Sequence, residues 1–187
     1  MSLFASARER RLWLWTLAVV VAIYASIGFA SSVAGVLREG GLFEASLFLG
    51  AMLLVGATVV AQGLRARPGG VEVAVALGVA VVYLLVLMRV ASPIERSHLI
   101  EYSVVAVFIY EALAERASHG RRVPSPALLA VLATAFVGAV DECVQYFLPD
   151  RVFDPVDVLF NALAAVMAVA ASAALGWARR RRSEAGS

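Results

Sequence analysis

The sequence contains a single cysteine, no lysine and little charge, with only 16% of its 187 residues charged. One thiol, Cys143, excludes an internal disulfide and any site with several thiolate ligands, and we expect it to pack in the core. Hydrophobic residues make up 61% of the chain, far above the roughly 45–50% apolar share of soluble domains. The mean hydropathy of +0.85 agrees. The composition therefore excludes an ordinary soluble fold.

No linker and no shift in composition interrupt the chain, so we predict one domain over residues 1–182 and a disordered tail at 183–187. Six apolar stretches within the domain each approach the ~20 residues that a membrane-spanning helix needs. The predicted fold is an all-α, polytopic membrane helical bundle of about six transmembrane helices. The stretches are 12–30, 42–63, 71–88, 98–114, 127–148 and 156–177.

The basic residues are all arginines, and they are distributed unevenly along the predicted bundle. If the N-terminus is cytoplasmic, twelve arginines lie inside and four outside, which fits the positive-inside rule for six spans with both termini cytoplasmic. We therefore expect a multi-pass membrane protein. The inner set is Arg8, Arg10, Arg11, Arg65, Arg67, Arg116, Arg121, Arg122 and Arg179 to Arg182; the outer set is Arg38, Arg89, Arg96 and Arg151.

The chain also lacks two features of many secondary transporters, an internal repeat and a pair of interrupted helices. A small-solute transporter is therefore a minor alternative. The consecutive arginines at 179–182 form a charge run of the kind that can bind nucleic acid. Because this run follows a spanning helix, we expect it to set the topology and to contact anionic membrane lipids, and we predict no nucleic-acid partner.

Polar and ionisable side chains are concentrated in three clusters near the ends of apolar stretches. Ionisable groups within membrane reach are costly unless they are paired or hydrated, so they usually mark a site. Helical spacing places the members of each cluster on one face, and the arginine topology places all three clusters at the outer leaflet. Asp154 is expected to cap a helix that begins at Pro155. We predict a single pocket formed by Arg96, His98, Glu101 and Tyr102, by Asp141, Glu142 and Gln145, and by Arg151, Asp154, Asp157 and Asn161.

The same clusters carry a family resemblance. Segments SHLIEY at 97–102, DECVQYF at 141–147 and PDRVFDPVDVLFN at 149–161 follow one another in the order shown by the VanZ-like membrane proteins, which the chain resembles over about 96–174. The last helix has Ala162, Ala164 and Ala165 where members often have a glycine. The family is named for a teicoplanin-resistance accessory protein, so the resemblance implies a membrane protein with a role in the cell envelope and in glycopeptide resistance.

The charge balance of the predicted pocket leaves its chemistry open. Five carboxylates outnumber two arginines, so a cation binds, some carboxyls stay protonated or several face water. In the first interpretation, lipid or envelope-precursor headgroups are bound or modified at the outer leaflet. Arg96 and Arg151 would then hold an anionic group while His98, Glu101 and Glu142 act as acid and base. The remaining binding residues would be Tyr102, Asp141, Gln145, Asp154, Asp157 and Asn161.

Two further interpretations use the same residues. One is a divalent cation site of His98 and carboxylates, the ligand set of a hard or borderline cation. The sequence alone does not favour this site. The other is a structural or partner-binding scaffold, in which a buried hydrogen-bond network joins the helices and no ligand is bound.

The topology is testable by cysteine labelling in a Cys143→Ser background. A cysteine at Ser125 should be protected from an impermeant thiol reagent on intact cells, because it lies on the arginine-rich inner side. A cysteine at Asp150 should be labelled. Labelling of both positions after permeabilisation is the control, and the reverse pattern on intact cells would contradict the arrangement.

Overall fold

The computed structural model describes residues 3–39, 69–89, 93–147 and 153–185. Within these ranges the chain forms five α-helices and no β-strand, which confirms the all-α prediction for this part of the chain. The predicted span 42–63 lies outside the described residues. The helices are α1 (Ala7–Glu39), α2 (Gly70–Arg89), α3 (Pro93–Ser118), α4 (Pro126–Tyr146) and α5 (Pro155–Ala185).

Three helices in the described ranges are long and apolar enough to cross a membrane. They are α2, α4 and the part of α5 over Pro155–Glu184, and they coincide with three of the predicted spans. The predicted spans 12–30 and 98–114 fall within α1 and α3. The protein is thus built from membrane helices, while six spans and two cytoplasmic termini stay predictions.

The chain divides into two compact units, one of residues 1–32 and 97–170 and the other of 33–96 and 171–187. The core of the first unit is apolar and rich in small residues, which let helix backbones approach closely. Ser103 on α3 donates a hydrogen bond to the carbonyl of Ala164 on α5, with an Oγ–O distance of 3.4 Å. Ala164, Ala165 and Ala168 are all buried, so alanine suffices for close packing here.

Helix α2, in the second unit, has no buried residue. Its exposed leucines and valines suit contact with lipid chains, because a lipid-facing helix needs no protein to cover it. In the same unit, Arg179 Nε donates to Glu72 Oε1 at 2.8 Å.

Two sequence-based expectations differ from the structure. Cys143 is exposed and does not pack in the core, because it lies on the side of α4 opposite to its buried polar residues. Helix α5 continues to Ala185, three residues into the segment expected to be a disordered tail. The Ser183 hydroxyl bonds to the carbonyl of Arg179 at 3.2 Å, within the last turns of that helix.

The N-terminus of α1 is joined to the end of α3 by an ionic network within the first unit. Ser6 caps α1 by accepting the N–H of Glu9 at 3.0 Å, and its hydroxyl donates to Glu115 Oε1 at 2.8 Å. Arg8 Nη1 donates to Glu115 Oε2 at 2.7 Å and its Nη2 to Glu111 Oε2 at 2.8 Å. Glu9 is fully buried and accepts from Arg116 Nη1 at 3.1 Å. The arginines at this end of the first unit therefore orient its helices as well as carrying charge.

This network makes stability depend on pH. The Ser6 hydroxyl, and then the Arg8 guanidinium, hold the pKa of Glu115 below its ordinary value. The resulting stabilisation, below about 1 kcal/mol for a partly exposed pair, is present above about pH 4.3 and is lost as pH falls through the lowered folded-state pKa. Thermal melting of wild type and Glu115→Gln in detergent should differ at pH 7 and converge near about pH 3.

An Arg8→Ala background provides the control for this prediction. Glu115→Gln should cost less there, because one of the two groups that stabilise the carboxylate is gone. An equal melting difference at pH 7 and at low pH would contradict a contribution from the ionised carboxylate.

Candidate functional site

The described site residues that belong to the first unit lie at one end of its helices. His98 is in the second turn of α3, Asp141 and Glu142 are in the last two turns of α4, and Asp157 is in the first turn of α5. Arg116, at the other end of α3, is roughly 27 Å away along the helix axis at 1.5 Å per residue. The carboxylate-rich end and the arginine-rich end are thus separated by about the ~30 Å thickness of the hydrocarbon core.

The centre of the site is a buried trio of His98, Asp141 and Glu142, which we call the triad. These side chains are almost inaccessible, with relative exposures of 5%, 1% and 1%. His98 Nε2 lies 4.0 Å from Asp141 Oδ2, and one ligand atom from each residue lies within 4.8 Å of the other two. The ring of Tyr102 stands edge-on to the His98 ring, with centroids 5.9 Å apart. The structure therefore brings residues from two predicted clusters into contact.

Gln145 connects the two carboxylates of the triad. Its Nε2 donates to Asp141 Oδ2 at 3.2 Å and to Glu142 Oε1 at 3.3 Å. These contacts follow from helical spacing, because Gln145 stands four residues after one acid and three after the other. Buried carboxylates need such donors, and Gln145 supplies its amide to both at once.

The third cluster reaches the triad through the backbone. Glu142 Oε2 accepts the N–H of Asp154 at 3.2 Å, which ties the start of α5 to the end of α4. The Asp154 side chain accepts the N–H of Val156 at 2.8 Å, so it caps α5, and Pro155 is the first residue of that helix. The expected capping arrangement is confirmed.

The other predicted site residues are placed as follows. Glu101 and Asp157 are half-buried, Asn161 is fully buried, and the Asp154 side chain is exposed. Of Arg96 the structure describes only its place in α3, and Arg151 lies outside the described residues.

Three residues near the site were not predicted. Thr134 and Gly138 lie on the buried face of α4 that also carries Asp141, Glu142 and Gln145. The Tyr24 hydroxyl on α1 donates to the carbonyl of Val137 at 2.9 Å. A spacing of three or four residues between Thr134, Gly138 and the acids is the pattern that could have revealed the first two.

Gly138 and Asn161 form the closest contact between α4 and α5 in this region. A Cβ added at Gly138 would lie 2.7 Å from both Cβ and Nδ2 of Asn161, so the amide lies directly against the α4 backbone. Asn161 is fully buried, and neither its Oδ1 nor its Nδ2 has a hydrogen-bond partner among the described residues. Buried amides are rarely left in this state, so Asn161 has a donor and an acceptor that no described residue satisfies.

The geometry allows three kinds of chemistry. An imidazole beside carboxylates can exchange protons, a nitrogen and two carboxylate ligands can bind a cation, and polar atoms without partners can hold a ligand.

Comparison with known proteins identifies the family. A family model described as VanZ/LLP1 matches residues 2–176. The chain belongs to the VanZ/LLP1 family. No significant match exists among curated proteins or solved structures.

The family match confirms the VanZ resemblance and extends it to the first ninety residues, where the sequence shows only hydropathy. This VanZ/LLP1 chain is therefore a VanZ-like membrane protein. The segment most specific to the resemblance, 97–161, contains the whole triad together with Gln145 and Asn161.

Close contact at Gly138 predicts a steric effect in this VanZ/LLP1 protein. Gly138→Ala should lower the free energy of unfolding by about 1–3 kcal/mol, as overpacking does. Gly78→Ala on α2 is the matched control: nothing lies within 4 Å of an added Cβ, so helix propensity alone should leave stability equal or higher. Melting curves in detergent measure both.

Combining Gly138→Ala with Asn161→Ala should restore only part of the lost stability, because Nδ2 and Cγ of Asn161 are removed while the Cβ at 2.7 Å remains. A Gly138→Ala variant as stable as wild type would contradict the close contact between α4 and α5.

Proposed function

We propose that this protein binds or modifies the headgroups of lipids or envelope precursors at the outer face of the bacterial cell membrane. One observation carries the proposal. A histidine and two carboxylates from α3 and α4 are buried together, with ligand atoms within 4.8 Å of one another. Burial of several ionisable groups is costly, and it is typical of functional sites in membrane proteins.

Arginine placement supports the outer face. Arg116 lies in the last turn of α3, at the end away from the triad, and Arg121 and Arg122 follow that helix; such clusters of arginine favour the cytoplasmic side. With α3 in that orientation, His98 and Glu101 lie in the outer leaflet. A site there would meet lipid headgroups and lipid-linked envelope precursors, and it would not need a path across the membrane.

Each group has a proposed role. Arg96 and Arg151 hold a phosphate or carboxylate of the ligand. His98, with Glu101 or Glu142, transfers a proton, because imidazole titrates near neutral pH. Asp141 lies 4.0 Å from His98 Nε2 and orients the ring, while Gln145 orients both acids of the triad. Tyr102, Asp154, Asp157 and Asn161 complete the pocket around the ligand.

A structural scaffold is the second candidate, and specific contacts favour it. Gln145 bridges Asp141 and Glu142, and Glu142 accepts from the backbone of Asp154. Such a network would hold α4 and α5 together without any ligand. Stability and phenotype, measured on the same variants, separate the two functions.

Neutralising one acid should distinguish a functional site from a structural scaffold. In a functional site, like charges are strained without ligand, so Glu142→Gln and Glu101→Gln should leave stability unchanged or raise it by about 0.5–2 kcal/mol. The same variants should abolish any envelope phenotype, for which glycopeptide susceptibility, teicoplanin included, is the first assay. Melting in detergent and a susceptibility test on the same strains provide the measurement.

Glu111→Gln, on the same helix as Glu101 but at its far end, is the matched control and should keep the phenotype. If Glu142→Gln instead loses about 3–5 kcal/mol, as the removal of a buried partner does, and the phenotype falls in proportion, then the cluster is scaffold. Full phenotype in every acid variant would rule out the proposed site.

A further inference from the structure

We propose that the triad of His98, Asp141 and Glu142 binds a divalent cation of the Zn²⁺ or Mn²⁺ class, and that this ion contacts the phosphate of the headgroup. The first part stands on the geometry of the triad. The second part rests on the proposed function, because it requires that a ligand carrying a phosphate binds at this site.

The spacing of the ligand atoms fits a single ion. Zinc lies about 2.0–2.2 Å from nitrogen and oxygen ligands in a tetrahedral arrangement, so two ligand atoms on one ion are about 3.3–3.6 Å apart. The three triad atoms already lie within 4.8 Å of one another. Changes in the side-chain torsions of His98 and Glu142 that bring the most widely separated of these atoms about 1 Å closer would let all three bind one ion.

The ligand types narrow the choice of ion. Oxygen ligands alone suit Mg²⁺ and Ca²⁺, whereas an imidazole with two carboxylates suits a borderline cation such as Zn²⁺, or Mn²⁺. Three protein ligands leave a coordination position open, as in catalytic zinc sites. A phosphate oxygen or a water can occupy that position.

The surroundings orient the ligands as the outer shell of a metal site does. Gln145 donates to Asp141 Oδ2 and Glu142 Oε1 at 3.2 and 3.3 Å, and the Asp154 N–H donates to Glu142 Oε2 at 3.2 Å. Tyr102 contacts the His98 ring from its edge. Hydrogen bonds of this kind fix the direction of a carboxylate and are worth 10–100-fold in metal affinity.

A second observation, independent of the triad, also points to a ligand. Asn161 is fully buried, and its amide lies against Gly138, one helical turn before Glu142 on the same face of α4. Both of its polar atoms lack a hydrogen-bond partner among the described residues. A metal-bound water or a ligand oxygen beside the triad would supply that partner, since such an amide can donate and accept.

The test is metal binding by the full-length protein in detergent, purified with an affinity tag that contains no histidine. After chelator treatment and loading with Zn²⁺ or Mn²⁺, wild type should retain about one ion per chain, measured by inductively coupled plasma mass spectrometry, and should melt at a higher temperature. His98→Ala and Glu142→Gln should lower the affinity at least about tenfold, as even outer-shell losses do.

His119 is the matched control, because it is the other histidine of the chain and lies at the opposite end of the first unit, near Glu115. His119→Ala should bind metal as wild type does. Gln145→Ala should keep all three ligands and weaken binding by about 10–100-fold, as the loss of an outer-shell hydrogen bond does. Loss of metal in His119→Ala with retention in His98→Ala would overturn the assignment.

The phosphate contact needs a separate readout. After unbound Mn²⁺ is removed by gel filtration, the paramagnetic Mn²⁺ retained by wild type should broaden the ³¹P resonance of added inorganic phosphate, and His98→Ala taken through the same steps should not. Wild type without stoichiometric metal would overturn the cation site, while the proposed function would still be decided by the susceptibility assay. Stoichiometric Mn²⁺ without broadening would overturn the phosphate contact and leave the cation site standing.

Discussion

Burial of two adjacent carboxylates, Asp141 and Glu142, is the constraint on which the first unit depends. Each is 1% exposed, and removal of charge from water is compensated only by hydrogen bonds or an opposite charge. Gln145 must stand one turn away to donate to both, and α5 must begin where the Asp154 N–H reaches Glu142. The end of α4 and the start of α5 are therefore linked by one requirement for hydrogen-bond donors.

Polar side chains of the first unit are concentrated at its two ends, and the two ends differ in their charge balance. At one end, Arg8, Glu9 and Arg116 form ion pairs between α1 and α3, with their charges largely matched. At the other end acids predominate, and Asn161 keeps amide atoms without partners among the described residues. Matched charges are typical of structural contacts, and excess charge of one sign is typical of a place where something binds.

Much of this could be predicted from the sequence, because helical spacing and hydropathy are local properties. The helices, the cap at Asp154 and the contact of Gln145 with both acids follow from residues within one or two turns. Gly138 against Asn161 and Tyr24 against Val137 could not be predicted, because they depend on which helix faces meet. Cys143 was misassigned for a related reason: in a membrane an apolar side chain gains little by turning inward, so hydropathy does not tell lipid-facing from buried positions.

The hydrogen bond from the Asp154 N–H to Glu142 has a consequence for how such a protein can diversify. It is made by the backbone, so any residue other than proline at 154 keeps the donor for the Glu142 carboxylate. A backbone donor of this kind allows the sequence around it to change while a buried carboxylate keeps its hydrogen bond.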